Sequence, residues 1–229
     1  MFSLFTNPDK KRQKLLEKVE NEILKDYLST PMPDLKLPAS EVEFLALDFE
    51  TTGLDANKEA ILSIGCTLIK DGRVKLSENS HHFIQVNREI PPESVVIHKI
   101  TDDRAKTGEH LHDVLEMLLE KMKGRVLLVH YDKIERNFFN AACKEIYGDA
   151  PPLLIVDTLA IAQKRQDKLP QGFTPNSLRL FNLRAAYGLP RYNAHSALED
   201  AIATAELFLA QMANGDGLER VRLKDLLSK

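Results

Sequence analysis

Two cysteines, Cys66 and Cys143, are all that the 229 residues contain. They lie in a strand-like and a helix-like stretch without the paired spacing of a zinc site, and are expected to be small buried apolar residues in a reducing compartment. Cations are not in excess either: 31 Lys and Arg against 34 Asp and Glu leave a net charge of −3. No overall basic field draws in a polyanion, so a nucleic-acid partner must be held by a local patch and by metal. No apolar run approaches the ~20 residues of a membrane-spanning helix. Met1-Phe2-Ser3-Leu4-Phe5 is too short for a signal peptide and lacks its basic leader; the expected location is cytoplasmic, without membrane contact. Internal repeats and low-complexity runs are missing. With 43% hydrophobic and 28% charged residues, the chain suits one well-buried soluble domain with an appendage.

The stretch Phe44-Leu45-Ala46-Leu47-Asp48-Phe49-Glu50-Thr51-Thr52-Gly53 is an apolar run that ends in two carboxylates. Four apolar residues in a row suit a strand buried on both faces, and period-2 alternation points Asp48 and Glu50 the same way. Two acids on one face repel each other and resist desolvation, an arrangement that makes physical sense mainly with a cation between them. The plainer alternative is a strand running out into a polar turn with its acids in water.

Residues 8–29 carry Leu15, Leu16, Val19, Ile23, Leu24, Tyr27 and Leu28 on a helical period, which predicts one amphipathic helix. It packs on its own domain or docks on a second copy or a partner protein; residues 29–38, with three prolines, form an extended connector. After the first strand, residues 60–70 and 75–87 flank Asp71-Gly72, a hairpin signal, so the first three strands form an antiparallel meander. Residues 90–107 are too broken for a regular element and predict a loop or short helix over a sheet edge. Helices follow over 109–123, 132–147, 177–187 and 195–212, and short strands over 126–129 and 153–156, with a loop around Gln171-Gly172. This order divides the chain into a helix and connector (1–40), one α/β domain with a mixed sheet flanked by helices (41–213), and a short polar tail (214–229).

Two further clusters join the first pair of acids. Asp132 and Glu135 fall in the first turn of a helix, where acids also serve as plain capping groups. His195 precedes Asp200 by five positions, about 140° apart on a helix after one full turn, so the two share no face if both are helical. His195 therefore belongs at or before the helix start.

These three segments, in this order, resemble the motifs of the DnaQ-like 3′-5′ exonucleases of the DEDDh type. Asp48-Phe49-Glu50-Thr51-Thr52-Gly53 is similar to the first motif, and His130-Tyr131-Asp132-Lys133-Ile134-Glu135-Arg136-Asn137-Phe138-Phe139 to the second, H-N-A-x-F-D-x-x-F-L. His195 to Asp200 is similar to the third, H-x-A-x-x-D; Ile97-His98-Lys99-Ile100-Thr101 and Asp157-Thr158-Leu159 are similar to the family's I-H-G-I-T and D-T-L. The resemblance covers about residues 43–212 and implies an RNase H-like fold with a mixed five-stranded sheet.

The chain departs from the pattern at Glu135, where the family has Asp, and at Tyr131 and Asp132, where it has Asn and Ala. Glutamate keeps the charge but is one methylene longer, so the helix or the ion must shift to suit it. Asp132 is the alternative ligand; the register of His130 and Phe138-Phe139 favours Glu135. The resemblance implies that Asp48, Glu50, Glu135 and Asp200 hold two divalent cations, Mg²⁺ or Mn²⁺, and that His195 is the general base. Thr51, Thr52, Gly53, Leu54, His98 and Phe49 are the expected contacts to the terminal nucleotide, and Lys99, Lys133, Arg136 and Arg191 are candidates for phosphate contacts. The implied reaction is stepwise hydrolysis of a single-stranded nucleic-acid 3′ end, DNA in preference to RNA, to nucleoside 5′-monophosphates. The competing expectation is a weakly active or inactive relative that binds nucleic acid or a partner protein.

Overall fold

The strand β1 (Phe44–Thr51) lies in the middle of a five-stranded sheet of order β3-β2-β1-β4-β5. The computed structural model describes residues 8–166, 175–192 and 195–228. Strands β2 (Ile61–Lys70) and β3 (Arg73–Phe83) complete the antiparallel meander. Asp71 and Gly72 close its hairpin with φ of 54° and 65°, the double positive φ that a tight turn between twisted strands requires. On the other side β4 (Val126–Val129) and β5 (Ile155–Asp157) run parallel to β1. The mixed sheet expected from the sequence is present.

Alternation along β1 divides the core. Leu45, Leu47 and Phe49 join a cluster with Leu115, Leu119, Phe138 and Phe139, from the helices α5 (Leu111–Met122) and α6 (Lys133–Tyr147). Phe44 and Ala46 join the opposite cluster with Phe208 and Met212 of α9 (Ala197–Ala213); the Phe44 and Phe208 ring centroids are 4.9 Å apart. Continuing that even-numbered series places Asp48 and Glu50 on the α9 face.

The expected single helix over 8–29 is instead two: α1 (Pro8–Leu16) and α2 (Glu22–Ser29). Asn21 starts the second by accepting the Leu24 N–H at 3.0 Å, an N-cap that ends one helix and begins another. One unbroken helix of that length would run ~33 Å, past the core that its apolar stripe covers; the break folds Val19, Leu24 and Leu28 into that core. Buried Arg12 ties the pair together, bonded to Asp9 and to the Leu28 carbonyl. Of the apolar stripe, Val19, Leu24 and Leu28 are buried and Leu15, Leu16, Ile23 and Tyr27 are half-buried against the same core.

The polar tail also differs from expectation. Leu223 and Leu226 of α10 (Leu223–Leu226) join the α9-side core, and Ser228 N–H donates to Ile155 O at 2.9 Å, covering the edge of β5. In the broken stretch 90–107, α3 (Pro92–His98) and α4 (Asp102–Lys106) form, and Lys99 at φ 57° turns the chain after α3. The remaining helices are α7 (Thr158–Gln166) and α8 (Leu180–Ala186). The expected loop around Gln171-Gly172 lies outside the described residues. Among the described residues, no helix is long and apolar enough to cross a membrane.

Candidate active site

Three elements deliver acids to one place. Asp48 and Glu50 come from the last turns of the β1 pleat, Asp200 from the first turn of α9, and Glu135 from the first turn of α6. A glycine lets α9 approach: a Cβ on Gly65, which pairs with Asp48 across β1 and β2, would lie 2.1 Å from backbone atoms of Ala197 and Leu198. Only a residue without a side chain admits the helix start there. Ligand oxygens of Asp48, Glu50 and Asp200 consequently lie within 4.8 Å of one another.

Glu50, Glu135 and Asp200 are buried. Burial, then the charges of Glu135, Asp200 and Glu50, holds the Asp48 carboxyl well above the usual range. Burial is also the main cause that pushes Glu135 up to about 8 and Asp200 to about 7. For Glu135 the N–H groups of its own residue and of Phe49 oppose the rise. Oε1 of Glu50, Oε2 of Glu135 and Oδ1 of Asp200 are buried without a hydrogen-bond partner among the described residues. Convergent acids that resist ionisation and keep open lone pairs fit a hard divalent cation, whose charge reverses the repulsion.

His195 sits just ahead of α9 at φ 72°. Its backbone N–H donates to Asp200 Oδ2 at 3.0 Å, which fixes the histidine beside the acid it could not reach along a helix. Its ring is exposed and stands edge-on to His98, centroids 5.9 Å apart. His98 Nδ1 in turn faces a carboxylate oxygen of Glu50. Glu50, His98 and His195 form a second group whose ligand atoms lie within 4.8 Å of one another.

The remaining residues singled out from the sequence divide. Phe49 is in the core, so its ring packs against apolar side chains and is not free to meet a base; odd-numbered positions of β1 face α5 and α6. Leu54 is 80% exposed on the turn after β1. Thr51 donates to Gly53 O at 2.7 Å. Thr52 Oγ1 donates to Glu59 and accepts from Ala60 N–H at 2.9 Å and from Arg88 Nη2 at 2.7 Å. Its hydroxyl is saturated, so the turn is braced from behind and presents backbone and Leu54. Asp132 accepts from Arg136 at 2.6 Å and from Ser228 at 2.9 Å, which engages its carboxylate and Arg136 alike. Lys99, Lys133 and Arg191 are exposed.

Sequence reasoning missed the Glu59–Arg88 brace and Gly65. A glycine inside a strand pattern was the available signal for the second; distant partners such as Arg88 leave none. Asp157 accepts the N–H groups of Tyr131, Asp132 and Leu159 at 3.0, 3.2 and 2.8 Å, pinning the turn before α6 to the end of β5. Burial pushes His130 down to about 4, so it is a neutral tie between Thr158, at 2.8 Å, and Leu178 O, at 3.1 Å.

The RNase_T family model, described as an exonuclease, matches residues 45–208. The chain belongs to the RNase_T exonuclease family. Its relatives include the 3′-5′ exonuclease DinG of Staphylococcus saprophyticus, 27% identical over 183 residues that make up 80% of this chain and 19% of that protein. DinG of Staphylococcus aureus strain MRSA252 is 28% identical over 80% of this chain and 20% of its own. The exonuclease chain thus spans about a fifth of the length of these relatives. Its fold matches the zinc-bound complex of E. coli ExoI with single-stranded DNA at a TM-score of 0.68, with 19% identity over 78% of this chain and 42% of that one. Exonuclease X in complex with 5′-overhanging duplex DNA matches at 0.60, with 20% identity over 80% and 98%.

Proposed function

We propose that this exonuclease-family chain is a 3′-5′ exonuclease that shortens single-stranded nucleic acid, DNA in preference to RNA, and releases nucleoside 5′-monophosphates. The observation that carries the reading is half-buried Asp48 beside buried Glu50, Glu135 and Asp200, the last three with an oxygen unpartnered among the described residues, next to an exposed histidine. Both solved relatives described above are complexes with DNA, which favours DNA as the substrate.

The four acids would hold two Mg²⁺ or Mn²⁺ ions, which supply charge stabilisation to the attacking and departing oxygens of a phosphodiester. His195 accepts the proton of the attacking water on an imidazole nitrogen, a task that suits an exposed ring held beside the acids. Asp200 keeps that ring at the site through the backbone N–H of His195. The braced turn from Thr51 to Leu54 receives the last nucleotide on its backbone beyond Thr52, whose own N–H donates to Ala60 O at 2.9 Å, and on the exposed Leu54 side chain. A duplex end would have to fray before its terminal nucleotide entered such a pocket.

A weakly active or purely binding protein is the second reading, favoured by Glu135 at the position where the family has Asp. The test is a time course on 5′-labelled single-stranded DNA and RNA of the same sequence in Mg²⁺, in Mn²⁺ and in EDTA, with Asp48→Ala alongside. A ladder shortening from the 3′ end, dependent on metal and lost in the variant, is expected. Intact strands in every condition from folded protein would reject hydrolysis and favour binding.

A further inference from the structure

Tyr131 departs from good local geometry. Its φ is 78°, a left-handed conformation that Gly or Asn adopts readily and a bulky side chain does not. The residue is 43% exposed, so burial does not offset that strain. The conformation is imposed by Asp157, which accepts the N–H groups of both Tyr131 and Asp132. An aromatic ring held in water by a neighbouring carboxylate, four residues before Glu135, is the kind of strain that accompanies a functional site.

The surroundings of the ring suit a polyanion. Lys133 Nζ lies 5.9 Å from its centroid. Lys133, Arg136, Asn140 and Lys144 recur at intervals of three and four, which places them along one side of α6. Asn140 and Lys144 line a groove with Lys11 of α1 and with Arg136, whose guanidinium is paired with Asp132; among the described residues no carboxylate lines the groove itself. In a chain with a net charge of −3, this is a local basic strip that begins beside the exposed ring and leads away along the helix.

We infer that Tyr131 is a stacking platform for a base of the substrate strand upstream of its 3′-terminal nucleotide, with the α6 strip receiving the following phosphates. Stacking on an aromatic face is tolerant of sequence, and Lys side chains beside it meet phosphate charge. The inference rests on the exonuclease reading for its ligand and deepens it by naming where the strand leaves the site. Tyr131 acts on the strand and takes no part in the chemistry.

The test measures equilibrium binding of a fluorescein-labelled single-stranded DNA in Ca²⁺, with cleavage in Mn²⁺ followed separately. Wild type, Tyr131→Phe and Tyr131→Asn are each compared on an intact strand and on strands carrying an abasic residue at the second, third or fourth position from the 3′ end. Stacking predicts that Tyr131→Asn weakens binding of the intact strand about tenfold, and that an abasic residue at one of these positions weakens wild-type binding by a similar factor. That abasic penalty disappears in Tyr131→Asn, while Tyr131→Phe stays like wild type. Because Asn fits the left-handed turn, its loss of affinity with an unchanged or higher melting temperature would exclude unfolding as the cause. Binding indifferent to Tyr131→Asn, or an abasic penalty that persists in this variant, would overturn the inference. Ring-dependent binding without any cleavage by wild type would instead refute hydrolysis and leave the platform standing.

Discussion

Replacing Glu135 by glutamine is expected to stabilise the metal-free protein at alkaline pH. Glu135 is buried and its pKa stands at about 8 instead of the ordinary 4.5. A folded-state pKa raised above the unfolded value means that the folded chain binds the extra proton, so stability is lost as pH rises from about 4.5 through about 8. At 1.36 kcal/mol per unit, the full effect above pH 8 is about 5 kcal/mol. Glutamine keeps the shape and an oxygen for the Phe49 N–H but leaves one polar group imperfectly paired, so we expect a net gain of about 2–3 kcal/mol. For a domain of this length that raises Tm by roughly 5–10 °C. The assay is thermal unfolding of wild type and Glu135→Gln in EDTA at pH 5 and pH 8.5, repeated with Mn²⁺. The gain is expected at pH 8.5, nearly absent at pH 5, and reversed by Mn²⁺, which stabilises only the protein that keeps its full set of acids. A variant less stable than wild type at pH 8.5 in EDTA, or a gain independent of pH, would refute the reasoning.

Glu135→Asp is expected to lower the Mn²⁺-supported rate by about tenfold or more, because the site is built around the longer acid and a one-methylene retreat leaves a ligand short; a faster variant would show that Glu135 impairs the enzyme. Gly65→Ala would drive a methyl into the backbone of Ala197 and Leu198, with an expected loss of about 3 kcal/mol or more and of activity, read by urea unfolding and by the ladder assay. Leu28→Ala is expected to destabilise the domain by about 2–5 kcal/mol, since Leu28 is fully buried; an unchanged unfolding midpoint would mean that the N-terminal helices are a separate arm.

Much of the scaffold was legible because it follows from local periodicity. Alternation through β1 put Asp48 and Glu50 on one face, Asp71-Gly72 announced the hairpin, and helical spacing required His195 to stand outside α9. The break at Asn21 was harder to read, since an unbroken apolar period and a folded one look alike in sequence; the choice depends on how much core lies beneath the helix. The tail was misread because Leu223 and Leu226 form a stripe too short to register until the edge of β5 is there to meet it. Phe49 illustrates the opposite limit: position between two acids suggested contact with substrate, but the pleat that turns Asp48 and Glu50 toward α9 turns Phe49 into the opposite core. The Thr52–Glu59–Arg88 brace depends on residues from separate segments, and such pairings have no periodic signature.

The most direct test of the account is Mn²⁺ binding to the metal-free protein at pH 8, measured by titration calorimetry and by the loss of the free-ion paramagnetic resonance signal, in wild type and in Asp48→Asn. Two Mn²⁺ per chain, with proton release on binding because burial holds the Asp48 carboxyl well above the usual range and Glu135 at about 8, are expected, and Asp48→Asn should abolish at least one. Binding that is absent in wild type at millimolar Mn²⁺, or unaltered in Asp48→Asn, would contradict the reading of these acids as the catalytic metal site.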